Sequence, residues 1–197
     1  MLKDRVADAD ERVLETSARL FAELGYDATD LDMIISAAGP EASRSKLLRE
    51  GKAGLYRAVF ERFRGLEESY FKAVAEEMTH DAEGMHRLAD ASLDFAIDYP
   101  EVNAVWEHRA LKDAIDLDFP ERFVPALESV ITSSPWEGLR QDVDLRFLSW
   151  TMIWMVMGFT GTGLPYEEGH RRRADHGPTL DYFRARLHEM IDCRIRP

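Results

Sequence analysis

Apolar residues recur along this chain at three- and four-residue steps, and this spacing restricts the possible fold more than any other feature of the sequence. The first segment shows the pattern in Val13, Leu14, Ser17, Ala18, Phe21 and Leu24. Such spacing places apolar side chains on one face of an α-helix, whereas the alternation typical of strands is scarce. The sequence therefore predicts an all-α protein with about nine helices and no internal repeats.

Capping and stop residues indicate where the helices begin and end. Gly25 stops the first helix, Thr29 has a hydroxyl that can cap the second, and Asp32 completes a capping box. The second helix ends at Gly39-Pro40. A short third helix is predicted from Ser43 to Arg49 and a long one from about residue 52 to 78. Further helices are predicted over 82–98, 101–113, 119–132, 142–159 and 178–195, and loops over 132–142 and 161–177.

Length and composition favour a globular protein, with one domain as the first expectation and a small domain plus a larger one as the second. The chain has 197 residues, 45% of them hydrophobic, and a formal net charge of -12. We expect a helical domain over 1–52 and a second one over 53–197. A single cysteine, Cys193, excludes an internal disulfide, and the charged N-terminus leads into no apolar segment. These features predict a cytoplasmic protein.

The stretch from Phe147 to Tyr166 carries no formal charge and raises the question of a membrane span. A spanning helix requires about 20 predominantly apolar residues. Only Phe147 to Phe159 is densely apolar, and the glycines and proline that follow would end the helix. The stretch is interpreted as a buried core or interface helix, and no membrane partner is expected.

Three short helices precede residue 50, with Ala38-Gly39 between the second and third, as in a helix-turn-helix. The matching residues are Arg12-Val13-Leu14, the run from Ala18 to Thr29, Ile34, Ala37-Ala38-Gly39, Lys52, Leu55, Val59 and Phe60. In these residues the chain resembles the TetR family of transcriptional regulators. The resemblance covers about residues 10 to 63. It implies an N-terminal DNA-binding domain followed by a helical domain for ligand binding and dimerisation.

Two alignments of the recognition helix are open. Without gaps, Pro40-Glu41 replaces the family's Val-Ser, and Ser45-Lys46 replaces its Leu-Tyr, which puts a serine in place of a core leucine. If Pro40-Glu41 is inserted into the turn, Ala42-Ser43 matches Val-Ser and Leu47-Leu48 matches Leu-Tyr. We prefer the second alignment because it restores Ser43 as the N-cap and a leucine in the core.

The charge distribution agrees with a DNA-binding role. Between Ser43 and Arg64 there are seven basic residues and two acidic ones, in a chain that is acidic as a whole. Phosphate contacts dominate protein–DNA affinity, so a local basic surface is what a DNA-binding domain requires. We expect Arg44, Ser45 and Lys46 to reach base edges. Contacts that position the domain on phosphates are expected from Thr29, Ser43, Arg49 and Lys52.

The resemblance also implies a ligand pocket and a dimer interface in the second domain. Tryptophan and methionine side chains suit a bulky apolar or aromatic ligand. The pocket is predicted to include Phe95, Trp106, Trp150, Trp154 and Met155. The last two helices resemble the pair that forms the family's dimeric four-helix bundle. The interface is predicted to include Met152, Val156, Leu180, Phe183, Leu187 and Ile191.

Together these features predict a cytoplasmic homodimeric regulator, a repressor released from a palindromic double-stranded DNA operator by a small apolar or aromatic effector. The alternative is a protein of the same fold that has lost DNA binding and acts as a ligand sensor or interaction module. Leu48 replaces a phosphate-contacting tyrosine of the family, and Ile35 replaces a small residue at the helix crossing. No catalytic motif supports an enzyme, and no cofactor is expected. Glu167, His170, Asp175 and His176 fit no helix-borne pair of metal ligands.

Overall fold

The computed structural model describes residues 2–118, 131–132, 134–165 and 170–196. Within these ranges the chain forms seven α-helices, which confirms the all-α class. They are α1 (Leu2–Leu24), α2 (Leu31–Ala38), α3 (Gly51–Glu76), α4 (Ala82–Asp98), α5 (Pro100–Ala110), α6 (Leu145–Thr162) and α7 (Gly177–Ile195). Two short 3₁₀ helices, Pro40–Arg44 and Leu47–Glu50, lie between α2 and α3. Strands β1 (Leu164–Pro165) and β2 (Arg171–Arg172) pair antiparallel between α6 and α7.

The helix count is seven in the described ranges rather than about nine. The predicted helix over 119–132 lies outside the described residues except for its last two positions. The predicted α-helix from Ser43 to Arg49 is wrong, because the two 3₁₀ helices take its place. The predicted loop over 161–177 contains the small strand pair.

Side-chain caps explain three of the helix starts, including that of α6, which Asp144 caps. The Asp30 carboxylate accepts the Met33 N–H at 2.7 Å and caps α2, and Asp81 caps α4 in the same way. The predicted cap at Thr29 is therefore wrong. Thr29 is buried, and its hydroxyl donates to the Gly25 carbonyl at 2.7 Å instead of reaching the helix.

The chain groups into two compact units. The first contains Met1–Leu66 and Glu101–Pro120, and the second contains Glu67–Pro100 and Glu121–Pro197. The division falls inside α3, and α5 belongs to the first unit. The sequence-based division at residue 52 differs from this grouping because it assigned all later residues to one domain.

In the first unit α1 packs against α2 and both 3₁₀ helices. The Tyr56 ring lies at the centre of an aromatic cluster, 5.1 Å from Phe21 and 4.8 Å from Phe60 between ring centroids. Burial raises the pKa of Tyr56 to about 12, so its phenol stays protonated at neutral pH. The fully buried apolar side chains of this unit also include Val13, Ile34, Leu55 and Val59.

In the second unit α4 packs against α6 and α7. Phe159 of α6 stacks on Phe183 of α7, with ring centroids 3.9 Å apart. A polar contact joins α7 to α4, because Arg184 donates to Asp90 at 2.8 Å and also to Asp94. The core contains Met85, Ala89, Leu93, Met152, Val156, Leu187 and Ile191.

Candidate nucleic-acid interface

The segment of residues 39–50, here called the basic loop, connects α2 to α3. Gly39 ends α2 with a φ of +86°, a left-handed backbone that favours glycine, and its N–H closes the helix onto the Ile35 carbonyl. Pro40 then opens the first 3₁₀ helix. The side chain of Ala42 is buried, and this 3₁₀ helix packs against α1. The loop is therefore an ordered part of the first unit.

A buried hydrogen bond anchors the middle of the basic loop. Ser45, with 5% of its surface exposed, donates its hydroxyl to Asp10 Oδ1 of α1 at 2.7 Å. The Lys46 N–H donates to the same oxygen, also at 2.7 Å. In an α-helix that N–H would bond to the Ala42 carbonyl, which here accepts the Ser45 N–H at 2.8 Å. The Asp10 carboxylate therefore explains why residues 43–49 do not form an α-helix.

The burial of Ser45 also bears on the preferred alignment. Ser45 occupies a buried position, as the ungapped alignment requires, while Leu47 and Leu48 are only half-buried. Ser43 is exposed and donates to the Pro40 carbonyl at 3.2 Å, so it does not cap a helix. The cap at Ser43 that favoured the inserted alignment is therefore absent, and Ser45 points into the protein rather than toward a base edge.

Three basic side chains lie on the solvent side of the basic loop: Arg44, Lys46 and Arg49. Arg44 pairs with Glu41, an exposed contact between residues three apart. Exposed pairs of this kind are weak, so a phosphate can compete for the guanidinium. Lys46 and Arg49 form no ion pair with another described residue. The loop thus presents three cations that can meet an anionic surface.

The remaining predicted phosphate contacts lie in different environments. Lys52, at the start of α3, donates to the Tyr26 carbonyl at 2.9 Å, and its ammonium lies 4.1 Å from the centre of the Tyr26 ring. Thr29 is buried beneath the turn between α1 and α2. Of the seven predicted DNA contacts, the structure exposes four together. They are Ser43, Arg44, Lys46 and Arg49.

Replacing Asp10 with alanine is expected to lower the free energy of unfolding by about 2 kcal/mol, because it leaves the buried Ser45 hydroxyl without its acceptor. Urea denaturation followed by circular dichroism measures the change. Asp8→Ala removes an equal charge from the exposed face of the same helix and serves as the control. Equal stability of the two variants would show that the Asp10 anchor contributes nothing.

The five predicted pocket residues lie in different environments. Phe95 is buried in the second unit beside Tyr70, with ring centroids 5.1 Å apart. Trp106 belongs to the first unit and meets Phe60 edge-on, with ring centroids 5.0 Å apart.

The other predicted pocket residues lie on α6. There Trp154 is 57% exposed, and the centroids of the Trp150 and Trp154 rings lie 5.7 Å apart. Met155 is half-buried at the edge of the core of the second unit.

The predicted dimer residues form the core of one chain. Met152, Val156, Phe183, Leu187 and Ile191 are buried inside the second unit, and Leu180 packs against them. They fill the space that α4, α6 and α7 share.

The opposite face of α6 is the exposed one. There Phe147 and Trp154 are each 57% exposed, at the edge of a groove of about 520 Å³ that Met190 and Arg194 of α7 also line. A cluster of exposed aromatic side chains marks an interaction surface more often than an isolated one does. An interface on α6 would therefore use Phe147 and Trp154 rather than the predicted residues.

Sequence reasoning missed Asp10, the anchor of the basic loop. One signal pointed to it: the ungapped alignment placed the polar Ser45 in a core position. A buried hydroxyl requires a hydrogen-bonding partner, and Asp10 is one of the acidic residues of the preceding helix. No spacing rule, however, links residues 35 positions apart in the sequence.

The described ranges contain no evident metal centre or membrane segment. No group of three or more histidine, cysteine, aspartate or glutamate side chains there is arranged to hold a metal ion. Asp175 pairs with Arg173, His176 contacts the Thr179 hydroxyl, and Glu167 lies outside the described residues. No helix in these ranges combines the length and apolar character needed to cross a bilayer.

No known protein-family model and no curated protein matches this chain.

Proposed function

We propose that this chain is a DNA-binding transcription regulator of the TetR type, which binds a palindromic operator as a homodimer in the cytoplasm. The basic loop contacts the DNA. Repression, and release by a small apolar or aromatic effector, follow from the sequence resemblance and complete the proposal.

The observation that carries the proposal is the exposure of Arg44, Lys46 and Arg49 on one ordered loop. Asp10 fixes the backbone of this loop at Lys46, so the backbone that carries the three cations is in place before any DNA binds. Cations near phosphates release condensed counterions, which provides most of the affinity for duplex DNA. Arginine also reads guanine through paired hydrogen bonds, so Arg44 and Arg49 are the candidates for sequence readout.

The homodimer of this proposal forms through the exposed face of α6. A twofold axis there brings Phe147 and Trp154 of one protomer against the same residues of the other, and buries side chains that water otherwise surrounds. Two basic loops would then contact equivalent half-sites, spaced by about 34–36 Å or a multiple of that distance.

A second candidate function is supported by a separate observation. The basic loop lacks the α-helix that normally enters the major groove, and Arg44 is paired with Glu41. These features favour a protein of the same fold that has lost DNA binding and senses a ligand or binds another protein.

DNA titrations at two salt concentrations, with a scrambled duplex as the control, distinguish the two functions. The wild-type protein is titrated with duplexes from the DNA flanking its own gene at about 50 and 200 mM salt. Each protomer brings three cations to the DNA, six in a dimer, and the counterions that they displace predict a loss of affinity of about 10³-fold between these concentrations. If no duplex binds more tightly than a scrambled duplex even at the lower salt concentration, the second function is the correct one.

A further inference from the structure

A short turn after α5 has unusual backbone geometry. Lys112 and Ala114 have φ values of 73° and 55°, and they are the two described residues other than glycine with a positive φ. This left-handed conformation is disfavoured for a residue with a side chain and persists where the surroundings hold it. Within the turn, Arg109 donates to the Ala114 carbonyl at 3.3 Å and to the Leu117 carbonyl at 3.2 Å.

Asp113, between the two strained residues, holds the turn that connects α1 to α2. Its carboxylate accepts the Tyr26 N–H at 2.6 Å and the Asp27 N–H at 2.9 Å. The neighbouring His108 places Nε2 3.1 Å from the Ala22 carbonyl. The turn after α5 lies so close to the turn between α1 and α2 that a Cβ at Gly25 would lie 3.2 Å from Asp113 Oδ1. The strained conformation thus coincides with a tight contact between residues distant in sequence.

Tyr26 connects this contact to the end of the basic loop. Its N–H is bound by Asp113, and its carbonyl accepts the Lys52 ammonium at 2.9 Å. Lys52 follows Gly51, the residue that ends the second 3₁₀ helix. A series of three hydrogen-bonded residues therefore joins the turn after α5 to the base of the basic loop.

We propose that Asp113 is a latch that sets the conformation of the basic loop through Tyr26 and Lys52. With the latch closed, the loop is held in the form described here. With the latch open, the turn at Tyr26 loses its charged acceptor and the loop loosens. This inference rests on the proposed function for its effect on DNA, whereas its structural part can be tested without DNA.

Amide hydrogen exchange, followed by NMR on the full chain, tests the latch directly. In Asp113→Ala the amides of Tyr26 and Asp27 lose a charged acceptor, and we expect their exchange to become at least about tenfold faster. The amides of Ser45 and Lys46 are expected to exchange faster as well. Asp116→Ala removes an equal charge from an exposed position of the same segment and is expected to change none of these rates.

Substitutions of the exposed Lys112 test the same idea without removing the carboxylate. Glycine and asparagine tolerate a positive φ, whereas β-branched valine does not. We therefore expect slower exchange at Tyr26 and Asp27 in Lys112→Gly and Lys112→Asn, and faster exchange in Lys112→Val. Equal rates in these three variants would overturn the latch. Faster exchange at Tyr26 in Asp113→Ala, with unchanged rates at Ser45 and Lys46, would overturn the connection to the basic loop.

DNA titrations separate this inference from the proposed function. If the wild type binds duplex DNA, Asp113→Ala is expected to bind at least about tenfold more weakly than Asp116→Ala, and equal affinities would overturn the effect on DNA binding. If the wild type binds no duplex, the proposed function fails. The exchange rates at Tyr26, Ser45 and Lys46 then decide whether the latch exists.

Discussion

Replacing Arg44, Lys46 and Arg49 together with alanine is expected to weaken operator binding by about 100-fold or more. Each protomer loses three cations, so a dimer loses six. The plot of log affinity against log salt should then be shallower by about 5 units of slope. Fluorescence anisotropy of a labelled duplex at several salt concentrations measures both quantities. All three side chains are exposed, so the variant is expected to unfold at the same urea concentration as the wild type.

A charge-matched control separates a local contact from general electrostatic attraction. Arg87, Arg171 and Arg173 are exposed residues of the second unit, and their joint replacement with alanine changes the net charge by the same amount. This control should keep its affinity to within about threefold, because these three arginines are not part of the basic loop. Equal losses in the two triple variants would show that the basic loop is not the contact surface.

Leu187→Ala is expected to lower the free energy of unfolding by about 3 kcal/mol. The Leu187 side chain is fully buried between α4, α6 and α7, and its truncation removes apolar contacts and leaves a cavity. Urea denaturation at several protein concentrations measures the effect. If Leu187 belongs to the core of one chain, the loss should be the same at every concentration. A loss that disappears at high protein concentration would instead place this residue in an interface.

Trp154→Glu provides the contrast to Leu187→Ala. Trp154 is more than half exposed, so the substitution should change the stability of a protomer by no more than about 0.5 kcal/mol. It places a charge in the centre of the proposed interface, and a dimer should dissociate at concentrations where the wild type remains associated. Analytical ultracentrifugation gives the result. An unchanged sedimentation coefficient would rule out the α6 face as the dimer contact.

The helices of the second unit could be predicted because local signals agree with one another there. The predicted helix over 82–98 matches α4 at both ends, where Asp81 caps it and Tyr99-Pro100 follows it. The orientation of α6 could not be predicted in the same way. Its apolar residues extend around the helix, so periodicity does not distinguish the buried Met152 from the exposed Trp154.

The basic loop could not be predicted because long-range polar contacts override local preference. Residues 43–49 have a helical pattern, but Asp10 captures the N–H that an α-helix would require. A long-range polar contact also explains why α5 ends earlier than the sequence predicts. The sequence predicts a helix to residue 113, whereas α5 ends at Ala110 and Asp113 bonds to the turn at Tyr26. Neither the contact of Asp10 with Lys46 nor that of Asp113 with Tyr26 can be recognised from the spacing of residues in the sequence.

Selection from a pool of random DNA duplexes tests most directly whether this chain is a sequence-specific DNA-binding protein. The wild type and the Arg44/Lys46/Arg49 variant are each incubated with the pool at low salt, and the retained duplexes are sequenced after several rounds. The proposed function predicts that the wild type enriches a sequence with two inverted half-sites and that the variant enriches none. A folded wild-type protein that enriches no sequence would contradict the assignment.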